Sequence, residues 1–473
     1  MDNEEFRKQA HKLVDWMADY LENLEDYPVR SQAKPGEILA QLPDGPPQSG
    51  EDMNRIFRDF QDIILPGMTH WQHPGFMAYF PANASPPSVL AEMLTSALAA
   101  QCMSWQTSPA ATELEERMMD WLRQLTGLPE EFVGCIQDTA STATLAAVLS
   151  ARERRHQFST NHSGLSITGT HTTYASAEVH SSADKAVRIA GLGSDNLRKI
   201  SVDENFAMCP GDLENAIVSD LNAGCTPTCV IATLGSTSLS AVDPLRRIGE
   251  ICRKYDIWLH VDAAWAGSAL VLPEFRWMID GIELVDSLVF NPHKWLLTQF
   301  DCSAFFVRDK EALIRTFEIL PEYLKTKEGD RVNNYRDWGV QLGRRFRALK
   351  LWFVIRSYGQ AGLQAHLRKH IGFCQDLAEK VDRHPDFELL APHPLALFCF
   401  RYRPAGTDEK ALDSLNETLL EKINDSGRLY LTQTRIGGRY ALRFVSGSPY
   451  TEQHHIDEAW SLIQNTAVKL IKR

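Results

Sequence analysis

Two charged side chains stand in runs where charge is costly. Asp262 lies in IWLHVDAAWAGSALVL (257–272), and Lys294 follows 32 residues later in SLVFNPHKWLL (287–297). An unpaired carboxylate in so apolar a run carries a large desolvation cost. Taken alone, Asp262 reads most simply as the partner of a buried arginine or as a helix cap. A desolvated lysine loses part of its affinity for protons, which makes its amine a nucleophile for carbonyls. Taken alone, Lys294 reads most simply as a side chain that reaches the surface along its stem. As a pair they meet two demands of pyridoxal phosphate: a lysine for its aldehyde and a carboxylate that keeps its ring nitrogen protonated. The third demand is a phosphate cradle. QDTASTATLAAVL (137–149) places Thr139, Ser141 and Thr142 at the start of an Ala/Leu-rich helix, and a helix N-terminus is an anion site. An ordinary cap has the same composition. Gly191 and Gly193 in GLGSDN lack the third glycine of a dinucleotide-binding loop, and no Walker-type run is present.

Other constellations read as structural. His366 and His370 have helical i, i+4 spacing among basic and polar residues, which suggests a solvated helix face and not a metal site. His454 and His455 in TEQHHIDEAW resemble a helix start. Cys225 and Cys229 form a close pair without a second pair to complete a zinc set. No metal is expected.

Elements must hold the two charges side by side. From about residue 130 to 310, short β-rich runs alternate with helical patterns. CVIATLGS (229–236), IWLHVDAAW (257–265) and SLVFNPHKW (287–295) are almost continuously apolar before a polar ending. This is the pattern of parallel strands covered on both faces, in which ligands sit beyond the carboxyl ends. Asp243 and Pro244 are expected to open the helix between the first two as cap and first-turn residue. Thr112 and Glu115 have capping-box spacing at the start of a helix running to about 124. A long helix is expected over 345–358, followed by a smaller α+β region with strands in 396–404 and 439–447. At the N-terminus, Phe6, Ala10, Leu13, Met17 and Leu21 mark one stripe of a helix. A Pro- and Gly-rich arm (31–50) follows, so that stripe must dock elsewhere.

The chain has 473 residues, 44% hydrophobic and 23% charged, with a formal net charge of −12. That length calls for two or three units. The negative balance disfavours nucleic acid or anionic membrane as partner, and no run approaches the length of a membrane helix. Nine scattered cysteines and an acidic N-terminus unlike a targeting peptide suggest a reduced, cytoplasmic protein.

At FNPHKW the sequence resembles the group II pyridoxal-phosphate decarboxylases, and among them the aromatic-L-amino-acid decarboxylases. The resemblance spans nearly the whole chain. It runs through HWQHPGFMAYFP (70–81), SWQTSPAATELEERMMDWL (104–122), QDTASTATL (137–145), HSSADKA (180–186), ATLGSTS (232–238), WLHVDAAWAGSA (258–269), FNPHKWLLTQFDCSA (290–304), PEYLK (321–325) and LGRRFRALKLW (342–352). It implies a fold-type-I α/β homodimer: an N-terminal arm (1–85) swapped onto the partner, a large cofactor domain (86–345) and a small α+β domain (346–473). It implies that Lys294 carries pyridoxal phosphate, Asp262 pairs with the ring nitrogen and His180 stacks on the ring. Ala140, Ser141 and His293 would bind the phosphate, with Gly343 approaching from the other subunit. Thr237 and Ala264 would line the ring, and Asn291 and His260 would support the site.

The implied reaction is loss of CO2 from an aromatic L-amino acid (DOPA, tyrosine, tryptophan, 5-hydroxytryptophan or phenylalanine), with Tyr323 central to returning the proton. The nearest alternative is an aldehyde synthase, which also releases ammonia and peroxide; members with phenylalanine at the loop position do this, whereas this chain has Tyr323. An aminotransferase and a catalytically silent binding protein are more distant options. Relatives that prefer histidine or a phenol ring often carry serine at the position of Gly343. For the substrate pocket, Trp71, Tyr79, Phe80 and Pro81 match the aromatic-specific members. Ala82, Gln101 and Met103 depart from them, through either neutral drift or altered ring preference.

Overall fold

The computed structural model describes residues 1–82, 84–166, 168–319 and 331–471; Tyr323 and the glycine at 329 lie outside the described residues. The chain divides into two compact units. One contains Ala82–Gln375 with Ala391–Phe398, the other Met1–Pro81, Asp376–Leu390 and Cys399–Arg473.

The larger unit is built on seven strands: β1 (Val133–Gln137), β2 (His171–Ser176), β3 (Leu197–Ile200), β4 (Thr226–Thr233), β5 (Trp258–Asp262), β6 (Ser287–Phe290) and β7 (Ser303–Val307). Their order is β1-β7-β6-β5-β4-β2-β3. Strands β3, β2, β4, β5 and β6 pair in parallel, and β7 runs antiparallel to both β6 and β1. Every residue of β5 and β6, and every residue of β4 but Thr226, is buried, which accounts for the unbroken apolar runs read from the sequence. Because β7 reverses between them, β1 and β6 point the same way. The carboxyl ends of β1, β4, β5 and β6 therefore open onto one edge of the sheet.

The helix Ala140–Arg155 leaves β1 at that edge and packs along the sheet through Ala143, Ala146, Ala147, Val148 and Ala151, all buried. Small side chains bring its backbone close to Val289, Phe305 and Ile231. Gly267 allows a second close approach: a Cβ there would meet Phe290 Cβ at 2.4 Å, so the turn after β5 lies against the end of β6 only with glycine.

The smaller unit carries the helix Asn3–Glu22 and most of a four-stranded sheet: β8 (Phe387–Leu389), β9 (Leu397–Tyr402, in this unit from Cys399 on), β10 (Thr432–Ile436) and β11 (Arg439–Val445), in the order β10-β11-β9-β8. Helices Glu409–Asn424 and Gln453–Ile471 complete it.

Three local expectations are corrected and one is found nearly as read. The helix after β4 starts at Leu245 with Pro244 as its cap. Asp243 is instead buried, accepting the N–H groups of Met208 (2.7 Å) and Thr233 (2.8 Å). The helix expected over 112–124 spans Pro109–Thr126 with Ser108 as cap, so Thr112 and Glu115 lie inside it. The helix expected over 345–358 is found over 347–358, ending at a kink at Gly359 (φ 62°) beyond which a second helix continues to Asp382. His370 is fully buried and accepts the Trp295 indole N–H at 3.1 Å; it does not face solvent.

Candidate active site

Asp262 is the last residue of β5, and Asn291 is the first beyond β6, its neighbour. Two backbone bonds fix the strand ends against each other: Ala263 N–H to Val289 O (2.9 Å) and Asn291 N–H to Ala264 O (2.9 Å). The chain then makes one helical turn, Pro292–Trp295, in which Lys294 N–H returns to Asn291 O at 2.9 Å. Two strand ends in parallel register thus bring a carboxylate and an amine to one place.

Burial pushes the Lys294 ammonium below the usual lysine range, and the nearby Asp262 carboxylate opposes that shift. His180 also has a lowered pKa through burial, and it feels Asp262 and Lys294 with opposite signs. His180 therefore belongs to the same constellation. It caps the helix Ser181–Ile189, and its Nδ1 accepts the Ser182 N–H at 3.2 Å, which leaves the proton on Nε2. One Asp262 oxygen, Oδ1, takes the Ala264 N–H at 3.0 Å, so the carboxylate is held in orientation.

Beneath Lys294, Trp295 stacks on Trp265 (centroids 4.4 Å apart, 13° between planes), and both rings are fully buried. Such stacking contributes about 0.5–1.5 kcal/mol beyond burial. Together with the His370 bond it fixes the turn that carries the lysine. Nothing in the sequence marked His370 or Trp265 for this role, because their contacts cross long sequence separations.

At the carboxyl end of β1, separated from β6 by β7, Thr139 caps the helix Ala140–Arg155 through its side chain, and Ala140 and Ser141 are the first two helical residues. Their N–H groups lie in the unsatisfied first turn. His293 is buried, and its Nδ1 accepts the Cys302 N–H at 2.9 Å. Thr237 lies in the turn after β4, which Gly235 (φ 73°) opens. The buried Asn291 Oδ1 has no hydrogen-bond partner among the described residues.

The donors present match pyridoxal phosphate: a carboxylate for a ring N–H, a desolvated amine for an aldehyde, and a helix N-terminus for a phosphate. The cofactor chemistry they support is that of an electron sink.

The remaining candidates fall in both units. Trp71, Tyr79, Phe80 and Pro81 are in the smaller one. There Trp71 stacks on Phe76 (4.5 Å) and Tyr79 (5.8 Å), the Tyr79 hydroxyl lies 3.2 Å from that of Tyr430, and Arg443 stands over Phe80 at 5.6 Å. The sequence did not single out Tyr430 or Arg443. Ala82, Gln101, Met103 and Gly343 are in the larger unit. There the Gln101 amide oxygen accepts the Arg344 N–H at 2.8 Å, and Met103 O accepts the Arg336 N–H at 2.9 Å.

Two buried histidines near the site give a pH prediction. His260 bonds Ser287 Oγ (2.9 Å) and Thr144 Oγ1 (3.3 Å), and burial holds its pKa at about 3, as it does for His293. Unfolded, both titrate near 6.5, so below that pH the unfolded chain takes up protons that the folded chain refuses. Stability then falls by about 1.4 kcal/mol per pH unit for each histidine. Asp243 works the other way: burial raises its pKa to about 6, so the folded form binds that proton first and offsets about one histidine between pH 6 and 4. The expected result is a lower urea midpoint at pH 5 than at pH 7; equal midpoints would contradict the buried neutral histidines.

Comparison with known proteins agrees with this chemistry. The family model described as the pyridoxal-dependent decarboxylase conserved domain matches residues 35–403. A phenylacetaldehyde synthase of Arabidopsis thaliana is 42% identical, the match covering 100% of this chain and 98% of that protein. A tyrosine decarboxylase (number 3) of Petroselinum crispum is 42% identical over 100% of this chain and 93% of its own. The crystal structure of Catharanthus roseus tryptophan decarboxylase in complex with L-tryptophan superposes with a TM-score of 0.94 at 40% identity, covering 99% of both chains. On these grounds, and on the pairing of Asp262 with Lys294, this chain is a member of the pyridoxal-dependent decarboxylase family.

Proposed function

We propose that the protein removes the carboxylate of an aromatic L-amino acid, releasing CO2 and the arylalkylamine, with Lys294 as the cofactor lysine. The observation that carries this reading is the placement of Asp262 and Lys294 at the ends of adjacent parallel strands, both acting on His180. Bound pyridoxal phosphate supplies a conjugated ring that accepts the electron pair of the broken Cα–carboxylate bond. Asp262, oriented by the Ala264 N–H, keeps positive charge on the ring nitrogen. His180, neutral and with its Nδ1 committed to Ser182, would contact the bound ring. Ala140, Ser141 and His293 would hold the phosphate, joined by Gly343 of a second copy; Thr237, Ala264 and Asn291 would border the ring. Tyr323 returns the proton to the substrate carbon.

An aromatic substrate is supported by the relatives named for tyrosine and tryptophan and by the partly exposed, mutually stacked pair Trp71 and Tyr79. Substrate contacts are assigned to Trp71, Tyr79, Phe80 and Pro81 and to Ala82 and Met103; Gln101 stands beside them with its amide oxygen taken by the Arg344 N–H. A homodimer, with the arm 1–85 reaching its partner, accounts for apolar surface left open in a single chain. Phe6, Leu13 and Val14 are exposed on the first helix, and Leu90, Met93, Leu94 and Leu98 on the helix Pro86–Leu98. Nine free thiols suit a reducing cytoplasm, and no described helix is long and apolar enough to cross a membrane.

The test is a panel of aromatic L-amino acids and L-histidine with the cofactor-loaded protein, following CO2, amine and peroxide together. Equimolar CO2 and amine without peroxide is the expected result. Peroxide, aldehyde and ammonia would establish the aldehyde synthase instead, a reading favoured by the 42% identity to the phenylacetaldehyde synthase. No CO2 from any member of the panel would overturn both.

A further inference from the structure

We infer that Gln101 is a positioning residue for ring selection: it fixes the Gly343–Arg344 backbone and limits what position 343 accommodates. The inference rests on the functional reading above, in which Gly343 faces the site.

Both polar groups of the Arg344 backbone are held by one dipeptide. Its N–H donates to Gln101 Oε1 at 2.8 Å, and its carbonyl receives the Cys102 N–H at 3.0 Å. The Arg344 side chain is anchored as well, on Glu115 through two bonds (3.0 and 2.7 Å) and on Ile136 O (2.6 Å). With backbone and side chain both tied, Arg344 is held against Gln101 and Cys102. A Cβ built on Gly343 would lie 3.2 Å from Gln101 Nε2, and no other described atom outside its chain neighbours comes within 4 Å. That is tighter than ordinary van der Waals contact, and the amide that must yield is the one whose oxygen holds Arg344. Any side chain at 343 therefore presses on Gln101, or with a hydroxyl competes for its amide. Because Gly343 is itself exposed, a change at 101 is transmitted to whatever approaches it. Gln101 needs no contact with substrate to act.

The test is a double-mutant cycle on the cofactor-loaded enzyme with Gln101→Leu, Gly343→Ser and the double variant. It measures kcat and KM for L-tryptophan and L-tyrosine, and melting temperature in parallel. The expected result is coupling: the effect of Gly343→Ser on the tryptophan-to-tyrosine ratio of kcat/KM changes by about five-fold or more when Gln101→Leu is also present. Melting temperatures are expected to be non-additive by about 2 °C or more. Gln101→Glu, which keeps an acceptor for the Arg344 N–H, is expected to hold the wild-type ratio within about two-fold. Additive ratios overturn the inference even if melting is coupled, since that pattern is purely structural; a Gln101→Glu variant that behaves like Gln101→Leu also overturns it. If the wild-type protein turns over no aromatic amino acid, the functional reading fails, and additive melting would then dispose of the geometric claim separately.

Discussion

Lys294→Ala is expected to lower kcat by about 10⁴-fold or more while leaving the protein folded, because the residue that binds the reacting group is removed and the scaffold around it is not. The stability expectation has its own physical basis. Lys294 sits where burial depresses its pKa, with the Asp262 carboxylate opposing, so loss of the amine relieves a desolvated cation. The turn that carries it remains pinned by Trp295, through its stack on Trp265 and its bond to His370. Borohydride treatment of the cofactor-loaded protein, followed by peptide mass spectrometry, is expected to place the label on Lys294 and to find none in the variant. Label on another lysine, or an alanine variant retaining about a hundredth of wild-type turnover, would sink the assignment.

The second large effect is one of stability. Glu115→Ala is expected to cost about 3–5 kcal/mol, the usual cost of stranding one member of a buried ion pair. Glu115 and Arg344 are 3% and 8% exposed, so solvent offers the remaining charge little relief. More than one bond is lost: Glu115 Oε1 also accepts the Ile136 N–H at 2.8 Å, and Tyr335 packs on the Arg344 guanidinium at 4.8 Å. These contacts join the helix Pro109–Thr126, strand β1 and the segment that ends at Gly343. The urea midpoint is the measurement, and a shift too small to resolve would show that the pair contributes nothing. A paired replacement, Glu115→Met with Arg344→Met, is expected to recover much of the loss, since it strands no charge. Its activity is expected to stay low, because the Gly343 segment loses its anchor.

Glu115 also shows where sequence reading stops. Its spacing from Thr112 satisfies a capping box, and a local rule has no means of rejecting that reading. Its true partner lies 229 residues away, and long-range pairings leave no periodic trace. Asp243 is a second case: an Asp-Pro before a helical pattern reads as a cap, yet its carboxylate serves Met208 and Thr233. His370, among polar neighbours, read as solvated; the face of the long helix that meets Trp295 was decided by packing.

The sequence by itself determined the chemistry and the local frame. Apolar runs with polar endings made β4, β5 and β6 legible as parallel strands, because burial on both faces removes polar alternation. The order of Asp262 and Lys294, the Thr139 cap and the motifs from 70 to 352 identified the family. Only the tertiary structure decided which groups hold these residues still: the Trp265–Trp295–His370 support, the Glu115–Arg344 tie and the Gln101 grip on Arg344. The physical reason is range. Periodicity and capping act over a few residues and are written in the spacing, whereas a buried charge or ring finds its partner through space, once the sheet has brought distant segments together.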